Sequence, residues 1–200
     1  MVMFETKNLL SAIAVALTFL GYFPYIKSII RKQTRPHFYS WLIWTLDGLI
    51  IFGLQFTNGA GPGSFVVLSA TLLSAFVLLL TIRDKNRKKP SKSDTLFLVL
   101  ALVALVLWLF AKQPLLSAIL IMTVDVFGFI PTIRKSWINP YSENISFYII
   151  NTVRFAFAFL ALKEYSVVNV LYPLVWLINN AGFVGMLMLR KRIVLPNKVH

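Results

Sequence analysis

Cysteine is missing altogether from this sequence, so it has no disulfide, no thiolate metal ligand and no thiol nucleophile. Histidine occurs only at His37 and His200, too few for a histidine metal cluster. Charge is sparse as well: 14% of residues are charged, against about 25% in a soluble domain, and only seven are acidic. No Ser/His/Asp set or phosphate-cradling loop stands out. The glycine-rich "NGAGPG" at 58–63 lacks the G-x-G-x-x-G spacing of a dinucleotide site and reads as a tight turn. These absences predict a protein with no catalytic residue, no metal and no cofactor, and so not an enzyme.

What fills the chain is apolar: 58% of residues are hydrophobic. Seven runs are long enough to cross a hydrocarbon core of about 30 Å, at 9–30, 38–57, 62–82, 95–111, 114–133, 145–162 and 168–189. The opening "MVMFETKNLL" has an acid before the apolar run and no small-residue cleavage site after it, so it reads as the start of the first span. Sixteen of the 20 Lys and Arg residues fall in alternate connections: Lys27 to Arg35, Arg83 to Lys92, Arg134 and Lys135, and Arg190 to Lys198. The other connections hold Lys7, Lys112 and Lys163, and Arg154 lies inside a span. Only an odd number of crossings puts the basic segments on one side. The positive-inside bias then predicts an N-terminus outside and a C-terminus in the cytoplasm, and the shortness of the sequence and its lack of sorting signals favour a plasma (inner) membrane. The net charge of +13 is thus a topology signal with attraction to lipid headgroups, and not a nucleic-acid footprint.

The phrase "GYFPYIK" at Gly21 returns as "GFIPTIR" at Gly128, an offset of 107. The same shift aligns Pro24 with Pro131, Thr45 with Thr152, Phe52 with Phe159, Phe76 with Phe183 and Arg83 with Arg190. Segments 1–3 and 5–7 therefore read as copies, and segment 4 as the crossing that lets the second copy start on the same side as the first. The expected architecture is all-α, with seven transmembrane helices forming two parallel three-helix repeats joined by a linker helix (3+1+3). Residues 1–90 form the first bundle, 91–113 the linker, and 114–200 the second bundle with its basic tail.

This layout, with a proline motif near the basic end of the first helix of each copy, resembles the PQ-loop and SWEET-like transporter superfamily. The stretch "FPYIKSIIRKQTRPHFYSWLIWTLDG" is similar to that family's pattern, although Pro24-Tyr25 and Pro131-Thr132 stand where many members have Pro-Gln. "WLIW" at 41–44 resembles the tryptophan pair of nicotinamide riboside transporters. The resemblance implies a carrier of sugars, amino acids or vitamin precursors. One branch of the superfamily retrieves cargo and transports nothing. It also implies an asparagine of the third helix in the pocket, here Asn179 or Asn180, with Trp176 one turn away.

The residues themselves add candidates. Proline removes a backbone donor and crowds the carbonyl four residues earlier, so Gly21 with Pro24 and Gly128 with Pro131 form two equivalent soft points suited to a hinge. Asp47, Asp125 and Arg154 lie inside spans, where an unpaired charge costs about 2.5–3.5 kcal/mol on insertion scales, so each is expected to face an interior. Asp47 and Arg154 occupy equivalent positions, which predicts that they face one another across a central cavity and either pair or bind a zwitterion or polar solute. Trp41 and Trp44 precede Asp47 at helical spacing, and Tyr148 and Asn151 precede Arg154 in the same way. Asp47 and Asp125 are the candidates for carrying a proton. The predicted function is movement of a small polar metabolite by alternating access, as a uniporter or with proton coupling. The alternative is a receptor or scaffold of the same fold. Substrate and oligomeric state stay open.

Overall fold

The computed structural model of the protein describes residues 2–31, 38–82, 92–141 and 143–194. Among them the fold is helical, with no strand. The helices are α1 (Val2–Ile30), α2 (Phe38–Thr57), α3 (Ser64–Ile82), α4 (Lys92–Leu109), α5 (Pro114–Ile138), α6 (Ile145–Leu160) and α7 (Val167–Ile193), with a 3-10 turn at Gly61–Gly63 before α3. The stretches Glu5–Lys27, Gly61–Ile82 and Val167–Ile193 are long and apolar enough to cross a membrane, and α2, α4, α5 and α6 carry shorter apolar stretches.

Local chemistry explains the ends. Asn144 caps α6 by accepting from the Ser146 amide at 3.0 Å, and Ser166 caps α7 by accepting from the Asn169 amide at 3.4 Å. Pro114 opens α5, where its missing N–H has no partner to lose. Gly59 and Gly61 hold φ of +75° and +64°, the left-handed region that a side chain disfavours, so "NGAGPG" is the tight turn its sequence suggests. Three helices outrun their apolar segments, whereas α3 starts and α4 and α6 end two residues inside theirs. α1 begins seven residues before the predicted start, α5 runs five residues past its predicted end, and α7 continues to Ile193. The basic Arg190, Lys191 and Arg192 thus sit on the last turn of α7, where they complement the helix dipole. The hydropathy of a segment reports where the oily environment ends, and the backbone has no reason to stop there. Lys32, Arg35, His37, Arg83, Lys85, Arg87, Lys88, Lys89, Lys198 and His200 lie outside the described residues.

Within α1–α3, α3 packs against both α1 and α2; within α5–α7, α7 packs against both α5 and α6. Two seams join these sets: α1 lies on α6, and α2 lies on α5. α4 packs on both α2 and α5 and so backs the second seam only. Ile50, Ile51, Leu54, Ala101, Ala104, Ala118 and Ile121, from α2, α4 and α5, form the largest buried cluster. Rings at equivalent positions are in contact in both sets, with 6.1 Å between centroids for Tyr22 and Trp41 and for Phe129 and Tyr148, although the planes meet at 72° in the first pair and 47° in the second. Thr45 and Thr152 each donate to the carbonyl one turn back, of Trp41 and of Tyr148.

α1 and α5 stay helical through Pro24 and Pro131. Gly21 is buried on the α6 seam, where an added Cβ would stand 3.9 Å from Phe147 and Ile150, an ordinary contact. Pro24 is exposed. The helix path at Gly128 and Pro131 is described, and their side-chain surroundings lie outside the description.

Candidate functional site

One end of the bundle is tied shut. The Lys163 amide in the α6–α7 turn donates to Ala60 O in the α2–α3 turn at 2.8 Å. Ser11 of α1 donates to Pro62 O at 2.6 Å, and the Lys7 ammonium bonds to Leu162 O. Asn169 is fully buried, and its side chain donates to Asn58 O at 2.8 Å and Glu164 O at 3.1 Å.

A third proline explains one further bond. Pro173 lies inside α7, and the carbonyl it deprives of a helical partner, four residues back, is that of Asn169. In an apolar surrounding that carbonyl needs another donor. Gln55 of α2, itself buried, supplies one: its Nε2 donates to Asn169 O at 2.9 Å. Gln55→Met leaves the carbonyl orphaned and is expected to lower stability by about 1–3 kcal/mol. Pro173→Ala, which restores an N–H in reach of Asn169 O, is expected to recover part of that loss. Thermal unfolding of both single variants and the double variant in detergent checks this; strictly additive effects would contradict the account. The sequence reading overlooked Gln55, Asn169 and Pro173. The signal was present in Pro173, because a proline within an apolar run marks a carbonyl that must find its donor elsewhere.

The three charges lie inward of this end. Asp47 is 2% exposed, Asp125 7% and Arg154 6%. The expected pairing of Asp47 with Arg154 is not formed. Asp47 on α2 lies toward Asp125 across the α2–α5 seam, and neither Asp47 oxygen makes a hydrogen bond among the described residues. Arg154 on α6 lies beside Gln55 of α2, Val67 of α3 and Tyr172 and Pro173 of α7. Among the described residues it has no hydrogen bond or ion pair; its guanidinium lies 4.1 Å from the Phe155 ring centroid and its Nε is buried without a partner. The two equivalent positions thus have different surroundings: Asp47 lies toward Asp125 of α5, and Arg154 toward α2, α3 and α7. Asp125 does not pair with Arg154 either; its Oδ2 accepts from Trp176 Nε1 at 3.4 Å.

Tyr172 of α7 lines the same small cavity as Arg154 and packs edge-on against Phe155, 5.7 Å between ring centroids. Tyr22 shares a hydrogen bond with Ser74 at 2.9 Å. The sequence reading missed both tyrosines, which look like ordinary aromatics of an apolar span. A cavity of about 10 Å³, room for one water, lies beside Arg154 and is lined also by Gln55, Val67, Phe155 and Tyr172.

The remaining candidates divide. Trp41 is buried against Tyr22 and Tyr25, whereas Trp44 is 46% exposed, its ring edge against Trp41. Trp176 stacks on Phe155 at 6.2 Å and turns its N–H toward Asp125, so it belongs to the polar cluster. Tyr148, Asn151 and Asn180 are buried, but their polar groups are engaged nearby: Tyr148 donates to Glu143 at 3.1 Å, Asn151 to Phe147 O at 2.9 Å and Asn180 to Trp176 O at 2.6 Å. The Asn179 amide nitrogen is buried without a partner. Among the described residues no group of three metal-ligating side chains occurs. The chain matches no known protein family, no curated protein and no solved structure.

Proposed function

We propose that this chain is an integral membrane transporter of a small polar solute, built from seven crossing helices as two like-oriented three-helix units joined by α4. The observation that carries the reading is the set of buried, unsatisfied charges. Arg154 lacks an acid and Asp47 lacks a donor inside an apolar helical bundle. Intramembrane charges left without protein partners mark a place where a solute supplies the missing contacts. Matching packing of α3 and α7 in their sets, with the matched ring pairs and threonines, supports duplication of the unit. So does the resemblance to the PQ-loop and SWEET-like superfamily.

In this reading Arg154, Tyr172 and Tyr22 receive the polar part of the solute, Trp176 and Phe155 give it an aromatic wall, and Asp47 and Asp125 are the candidate proton carriers. The basic connections then lie in the cytoplasm and the hydrogen-bonded turns outside, so the protein is closed toward the outside. Transport requires those turn bonds to break and reform as the opposite end closes and opens.

The test is solute counterflow in proteoliposomes against panels of sugars, amino acids and nucleosides, with and without a pH gradient. Exchange of at least one panel member is expected, together with its loss in the Asp47→Asn/Arg154→Gln double variant. A double variant that exchanges solute at the wild-type rate sinks the assignment of these charges. A wild-type protein inert toward every panel member speaks for a non-transporting receptor. Uptake indifferent to the gradient removes the coupling role of the two acids.

A further inference from the structure

A groove of about 490 Å³ opens beside the tied end, between α1, the Gly61–Gly63 turn with the start of α3, and the α6–α7 turn. One wall is a stripe of α1, Asn8, Ser11, Ala12 and Val15, at i, i+3, i+4 and i+7. Phe65 of α3 and Lys163 of the α6–α7 turn line the groove as well. From Asn8 to Val15 the helix advances about 10 Å, and the stripe changes along that length from polar to apolar. The ammonium of Lys163 and the amide of Asn8 make no bond among the described residues. Lys7, one residue away, is committed to Leu162 O and to the Tyr165 ring, 4.9 Å from its centroid. The acids of this end are Glu5, which does not line the groove, and Glu164, whose carboxylate lies over Gly59.

We infer that this groove binds one phospholipid, its phosphate held by Lys163 and Asn8 and an acyl chain lying along Ala12, Val15 and Phe65. Three features point to that occupant. The free cation and amide sit at the end of α1, where a bilayer presents phosphate. The polar-to-apolar order runs in the direction in which a lipid changes from headgroup to chain. Phe65 and the neighbouring Leu9 are themselves exposed apolar surface, continuous with a lipid-facing exterior. The inference rests on membrane embedding and not on transport. It has a mechanical meaning nonetheless: the lipid touches both α1 and the α6–α7 turn, so it bridges the same two elements that the Lys7–Leu162 bond joins.

The test is native mass spectrometry of the full chain in detergent, titrated with phosphatidylglycerol. One lipid is expected to stay bound at activation energies that strip the rest. Lys163→Gln is expected to weaken it about fivefold, as loss of one interfacial cation does, and Lys163→Arg to restore it. Ala12→Trp, which fills the groove, is expected to abolish the tight adduct while leaving the thermal unfolding midpoint of the lipid-free protein unchanged. Glycerol phosphate, with a phosphate but no chain, is expected not to compete. Equal lipid occupancy in wild type, Lys163→Gln and Ala12→Trp overturns the proposal, as does competition by glycerol phosphate at the lipid's own concentration.

Discussion

Arg154→Met is expected to make the protein more stable and to stop solute movement. The two effects have one cause. Arg154 is buried, its Nε has no partner, and no carboxylate pairs with it among the described residues. An uncompensated charge in an apolar interior is a standing cost, and replacing such groups with apolar residues of similar volume stabilises proteins by about 1–4 kcal/mol. A higher midpoint of thermal unfolding in detergent is therefore expected. If the guanidinium receives the solute, losing a buried charge contact costs about 2–5 kcal/mol, so counterflow falls at least about thirtyfold. A structural ion pair behaves the opposite way, because its loss lowers stability. A fall in the unfolding midpoint of Arg154→Met, measured beside counterflow, would show that the arginine has a structural partner and is not held for a ligand.

The second large effect lies at Gly53. A Cβ built there would stand 2.0 Å from Cη2 of Trp108, with two more ring carbons within 2.9 Å. α2 and α4 approach this closely because Gly53 presents only hydrogen to a flat, rigid indole. Gly53→Ala is expected to destabilise by about 1–3 kcal/mol, the usual cost of overpacking. Trp108→Leu in the same chain is expected to recover a large share, since the two residues are in contact and their effects do not add. Gly182→Ala and Gly185→Ala serve as controls, as nothing stands within 4 Å of a Cβ at either place. Purely additive losses in the Gly53/Trp108 cycle, or equal losses at Gly182, would contradict this account of the α2–α4 contact.

Much of the helix plan is legible in the residues. Apolar runs separated by charged or glycine-rich connections name seven helices, and α2 is bounded at 38–57 as its run suggests. The inward placement of Asp47, Asp125 and Arg154 is legible too, because the price of a lipid-facing charge leaves few other positions. Their partners are not. Equivalence at an offset of 107 says that two residues occupy like places in like helices; it does not say that those helices touch. Asp47 lies toward α5, whereas Arg154 lies beside residues of α2, α3 and α7. Those neighbours depend on tertiary packing, which an apolar sequence writes only weakly. The same limit hid Tyr172, one aromatic among 14% of the chain, whose place beside Arg154 exists only after folding.

α4 stands behind the α2–α5 contact and has no counterpart behind the α1–α6 contact. A hydrogen bond of 2.7 Å from Ser117 of α5 to Ala104 O fastens it further to its neighbour. The molecule is therefore lopsided, with a reinforced spine along one edge and a bare fore-edge along the other. In the proposed transport cycle the edge braced by α4 is the stiffer one, and the bare edge closes on Gly21 against Phe147 and Ile150, with space for hardly more than a methyl group.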